Sequence, residues 1–163
     1  MLEIVNIFGI WSSAILFTIS ILRLYKTPYY LGGYLVFFTI NEIINTCLKS
    51  LIRENRPTGK DPENASIFDN NEGADKYGMP SHHTQSLFFS LVYLYCVTHN
   101  VWIIIIELFI VGVTIYQRYH TKRHTLEQLA AGSLIGSMIG YISFISTKQY
   151  IYHRSAFHNN IYL

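Results

Sequence analysis

Charge is scarce in this sequence. Asp, Glu, Lys and Arg make up only 13% of its 163 residues, about half the share of an ordinary soluble chain. No basic tract is present and the formal charge is only +2, so nothing argues for a nucleic-acid partner. Cysteine is nearly absent. Cys47 and Cys96 both fall inside apolar runs, which excludes a disulfide framework and leaves the redox compartment open. The N-terminus lacks the marks of a leader peptide: Glu3 stands where a basic n-region would be, and no small-residue cleavage site follows. It reads as a retained helix.

What is abundant is apolar surface. Half the residues are hydrophobic, tyrosine occurs 13 times, and mean hydropathy is +0.24. Tyrosine is favoured where a bilayer meets water. A spanning helix needs about 20 mainly apolar residues, and such runs cover 4–24, 29–51, 82–98, 101–117 and 126–145. The expectation is a single all-α domain over 1–163, a polytopic transmembrane bundle of about five spans. Thr27-Pro28 divides the first two runs. A polar stretch over 57–78, rich in Pro, Gly, Asn and Asp, reads as a lid loop. It contains a glycosylation sequon, Asn64-Ala65-Ser66. Gly132, Gly136 and Gly140, four apart, offer a close-approach face for another helix. The segment after 146 reads as an interfacial tail.

Polar residues inside the runs are costly, and carry meaning. Glu42, Asn45 and Lys49 lie at i, i+3, i+7 and share a face. Either Glu42 and Lys49 form a structural pair, or Glu42 and Asn45 hold Lys49 in place. An up-and-down chain of five helices brings four ends together: Lys49–Arg56, Ser81–His83, and both sides of Arg118–Gln128. The N-terminus lies on that side. Three cations, Lys49, Arg56 and Arg118, then converge on a membrane edge, where a lipid phosphate or diphosphate is the natural anion. Ser81 adds a hydroxyl and a helix N-terminus. Two histidines suffice for phosphoryl transfer: His124 attacks phosphorus, oriented by Gln128 one turn on, and His83 is the acid. A zinc site built from His120, His124, His82 and His83 is the rival reading.

Lys49-x6-Arg56-Pro57, Pro80-Ser81-His82-His83 and Arg118-x5-His124-x3-Gln128 resemble the three signature motifs of the type 2 phosphatidic acid phosphatase superfamily. The resemblance implies a helical membrane enzyme that needs no metal or cofactor. In it His124 is the nucleophile, His83 the acid, and Lys49, Arg56, Ser81 and Arg118 hold the phosphate. Glu42 and Asn45, from their spacing to Lys49, and His82, from its place beside His83, are expected to support the site. Two positions depart from the usual pattern. His82 replaces a glycine, and Gln128 replaces an aspartate. The longer strings K-x-x-I-R-E-x-R-P, Y-G-M-P-S-x-H-x-Q and H-T-x-x-Q resemble the dolichyl diphosphate phosphatase branch. That implies hydrolysis of a polyprenyl diphosphate to the monophosphate, in a multi-pass protein of the endoplasmic reticulum membrane. A phosphatidic acid phosphatase and a non-catalytic membrane scaffold are the alternatives. The family usually has six spans, and five are legible here.

Overall fold

The structure, a computed structural model, describes residues 2–57 and 73–161. Five helices follow one another: α1 (Leu2–Leu24), α2 (Pro28–Ile52), α3 (His82–Thr98), α4 (Val101–His120) and α5 (Leu126–Ile161). No strand forms among the described residues. Four helices are long and apolar enough to cross a membrane, over 5–24, 28–52, 101–120 and 126–156. The helix α3 has 17 residues and lies inside the bundle, touching all the others.

Local chemistry sets the boundaries. Pro28 opens α2, where its missing N–H costs nothing. Arg53 closes α2 in a left-handed conformation (φ 54°), returning its N–H to the Lys49 carbonyl. Asn100 caps α4 by accepting from the N–H groups of Trp102 and Ile103. The tail beyond 146 differs from the expectation of an interfacial segment: α5 runs on to Ile161. No glycine or proline interrupts it after Gly140, and Arg154 lies over the Tyr29 ring at the start of α2, 5.1 Å from its centroid.

The bundle is built around α3 and α5. A Cβ on Gly132, Gly136 or Gly140 would lie 2.5, 2.1 or 2.6 Å from the carbonyl oxygens of Ser81, Gln85 and Phe89. The three glycines therefore let the two backbones touch, as their spacing suggests. Two apolar clusters fill the rest. One joins Leu24, Tyr34, Phe89, Tyr93 and Leu94; the other joins Leu16, Leu87, Ile110 and Val111. Polar side chains inside are bonded across helices, such as Tyr34 Oη to Ser90 Oγ at 2.8 Å. The outside is apolar: Trp102, Ile106, Phe109, Leu134 and Met138 are all exposed. In water such a surface would drive aggregation, and in lipid it is solvated.

The expected lid over 57–78 is only partly visible. Residues 58–72, with the Asn64 sequon, lie outside the described residues. The visible end is tied down. Gly73–Lys76 form a 3-10 turn, Tyr77 bridges to Asn55, and the Gly78 N–H donates to the Glu54 carbonyl at 2.8 Å.

Candidate active site

The end of α2, the start of α3, the end of α4 and the start of α5 meet, as the up-and-down order requires. Each brings one part of the polar cluster. On α2 the buried face runs through Asn41, Asn45 and Lys49. Asn45 donates to Gln85 Oε1 (2.8 Å), and Gln85 donates in turn to the carbonyl and side-chain oxygens of Asn41 (both 3.0 Å). Glu42 reaches α3, accepting from Ser86 Oγ (2.6 Å) and pairing with His82. The sequence offered Glu42 to Lys49, and could not show that α3 carries partners at the same level.

The helix α3 begins at the site. Ser81 caps it and is wholly buried. Its N–H is taken by the Gln128 carbonyl at 3.0 Å. Its Oγ has no hydrogen-bond partner among the described residues, so the hydroxyl is available to a ligand. His83 is also buried, and the Arg118 guanidinium lies against its ring, with Nη2 within hydrogen-bond reach of both Nδ1 and Nε2. Arginine only donates, so the ring nitrogen that meets it carries a lone pair.

The third cluster owes its shape to the turn between α4 and α5. Lys122 adopts a left-handed conformation (φ 52°), and the N–H groups of Arg123 (3.0 Å) and His124 (3.3 Å) both return to the Arg118 carbonyl. This folds His124 inward. Its Nδ1 is 3.0 Å from the Gly78 carbonyl and 3.2 Å from Gln128 Oε1. A carbonyl only accepts, so Nδ1 carries the proton. Nε2 is left with the lone pair and accepts from Arg56 Nη1 at 3.3 Å. His120, one turn earlier, diverges and stacks on Tyr116 with a 5.4 Å centroid separation. The helix α5 opens with a reciprocal cap: Thr125 N–H donates to Gln128 Oε1, and Gln128 N–H donates to Thr125 Oγ1, both at 3.3 Å.

Lys49, Arg56 and Arg118 are all buried, at 3%, 8% and 0% exposure, and so is Arg123 at 0%. Sequence reasoning passed over Arg123, although it sits beside His124 in the same basic turn. Gly78 and Glu54 stood only as letters of the longer strings, with no role given to them, and they touch the surroundings of His124 from far along the chain. His124 borders a cleft of about 690 Å³ lined by Pro57, Tyr119, His120, Lys122 and Thr125. The arrangement is a histidine with a lone pair directed at Arg56, in a cluster of helix ends that also carries buried Lys49, Arg118 and Arg123, beside an open cleft.

Four helices long and apolar enough to cross a membrane, with a buried cluster of cations and histidines where their ends meet, suggest a multi-pass membrane protein. The chain belongs to the PAP2 superfamily, whose model matches residues 30–152. Among curated proteins it is 29% identical over 136 residues to Dolichyldiphosphatase 1 of Homo sapiens, covering 74% of this chain and 52% of that protein. The Mus musculus protein of the same name gives the same figures. Lipid phosphate phosphatase gamma of Arabidopsis thaliana is 27% identical over 124 residues, covering 69% of this chain and 51% of that protein. The chain spans about half the length of these relatives. No solved structure gives a significant match.

Proposed function

We propose that this chain is an integral membrane lipid phosphatase whose substrate is a polyprenyl diphosphate of the dolichyl type. The observation that carries the reading is the state of His124: its Nδ1 proton is spent on Gly78 and Gln128, and its Nε2 lone pair faces the Arg56 guanidinium. A phosphoryl group held by Arg56 therefore lies in front of the nucleophile. Lys49, Arg118 and Ser81 complete the cradle, where charge on the phosphoryl oxygens meets fixed donors.

His124 Nε2 attacks phosphorus and forms a P–N bond as the P–O bond to the lipid monophosphate breaks. The leaving oxygen takes its proton from His83. The incoming phosphate draws Arg118 off the His83 ring, and the freed ring nitrogen takes up a proton that arrives on the substrate's phosphate oxygen, giving the imidazolium that serves as acid. A water then gives its proton back to His83 and attacks phosphorus. The P–N bond breaks, phosphate leaves, and His124 returns to its starting state. No metal or cofactor takes part. A dolichyl-type substrate implies the endoplasmic reticulum membrane.

The names of the relatives support a phosphorylated lipid and divide over which one. Purified protein presented with a polyprenyl diphosphate, a polyprenyl monophosphate and phosphatidic acid separates the cases. Phosphate release is expected chiefly from the diphosphate. Preference for phosphatidic acid transfers the assignment to the other branch, and no release from any of the three leaves a scaffold. His124→Ala is expected to cut release on the order of a thousandfold or more while membrane insertion persists. Retained turnover rejects the nucleophile.

A further inference from the structure

The usual carboxylate is missing from the end of the third motif, yet a carboxylate stands one hydrogen bond away. Gln128 Nε2 donates to Glu54 Oε1 at 2.7 Å and to the Asn55 carbonyl at 3.0 Å. The first distance is that of a charge-assisted bond. The opposite end of the same amide, Oε1, accepts from His124 Nδ1 at 3.2 Å and from the Thr125 N–H at 3.3 Å. Gln128 is thus a fully used bridge between Glu54 and His124.

An isolated amide can turn either end toward an imidazole. The wrong end would set an N–H against the Nδ1 proton. Glu54, which when ionised can only accept, holds Nε2 away from the ring, while Thr125 works from the Oε1 side. Withdrawal of density from the N–H bonds also makes the amide oxygen a better acceptor. Glu54 acts a second time through its backbone. Its carbonyl takes the Gly78 N–H at 2.8 Å, and the Gly78 carbonyl is the other acceptor for His124 Nδ1 at 3.0 Å. Both acceptors of the His124 proton are therefore anchored on residue 54.

We infer that Glu54 is a positioning residue for His124, with its carboxylate acting through the Gln128 amide in place of a carboxylate at position 128. This rests on the reading of His124 as nucleophile.

The test is a cycle of Glu54→Gln, Gln128→Glu and the double variant, each read by pH profiles of phosphate release from a polyprenyl diphosphate. Glu54→Gln keeps the shape and removes the charge. Expected are a fall in kcat of about 10-fold, the scale of losing a supporting partner, an unchanged KM, and an acid limb moved to lower pH by roughly half a unit. The limb moves down because the imidazolium of His124 loses a nearby negative charge. Gln128→Glu alone sets two carboxylates against each other and falls further. The double variant restores one carboxylate and one amide in reversed order and recovers most of the loss. A Glu54→Gln profile identical to wild type, or a double variant no better than Gln128→Glu, overturns the proposal.

A second measurement needs no turnover. Nitrogen chemical shifts of His124 in protein labelled with ¹⁵N-histidine are expected to show the Nδ1–H tautomer in wild type and a gain of the other tautomer in Glu54→Gln. Unchanged shifts overturn the role of Glu54. Wild-type protein that releases no phosphate from any lipid overturns the phosphatase reading instead.

Discussion

His124 shows how little of a buried histidine's state is local. Its bond to Gln128 spans four residues and follows from helical spacing alone. Its bond to Gly78 spans 46 residues, and Gln128 meets Glu54 across 74. No periodicity reaches that far, so spacing linked His124 to Gln128 and left Gly78 and Glu54 as letters of a string without a role. Gly78 is a glycine for a steric reason. A Cβ there would lie 2.4 Å from Gln128 Oε1 and 2.6 Å from its Nε2, inside the bridge itself. Gly78→Ala is expected to push the amide off His124 and lower kcat by about 10- to 100-fold, the range for supporting partners, with the melting temperature in detergent little changed. A variant with wild-type kcat would mean that the amide makes no difference to His124. His82, where the family pattern has glycine, is absorbed differently: its ring turns away along α2 to Glu42.

At the scale of helices, the small residues of α5 were readable and their partner was not. Four-residue spacing marks a close-approach face, and only the assembled bundle shows that α3 occupies it. The site depends on that contact, since α3 carries Ser81 and His83 while α5 carries Gln128. A methyl group on Gly136 would meet the Gln85 backbone, which cannot swing aside as a side chain can. Gly136→Ala is expected to destabilise by about 1–3 kcal/mol, seen as a lower melting temperature, and to reduce phosphate release. Gly112→Ala is the matched control. Nothing lies within 4 Å of its Cβ, and alanine is the better helix former by about 1 kcal/mol, so its melting temperature should hold or rise. Equal losses in both would show that the α3–α5 contact is not special. The reach of α5 to Ile161 was missed because polar residues past 146 suggested an interface, whereas a helix needs only the absence of breakers and a neighbour to lie on.

For the molecule as a whole, the order of five antiparallel helices assigns sides. The N-terminal half of α1 lies by the C-terminal end of α4, where Gly9 packs on Gln117, so the N-terminus shares the side of the site. Lys26 and Lys122, both exposed, belong to opposite ends. With Cys47 and Cys96 replaced by serine, Lys26→Cys and Lys122→Cys should react with a membrane-impermeant maleimide from opposite faces of a sealed vesicle. Labelling of both from one face would break the up-and-down order. By itself the sequence determined the membrane class, the helical architecture and which polar residues meet at one end of the bundle, because those depend on hydropathy and on spacings within single helices. Only the tertiary structure decided the partners: Glu42 with His82, Arg118 against His83, and Glu54 behind Gln128. Such pairings join residues on different helices, and their register is set by side-chain packing, which leaves no periodic trace in the chain.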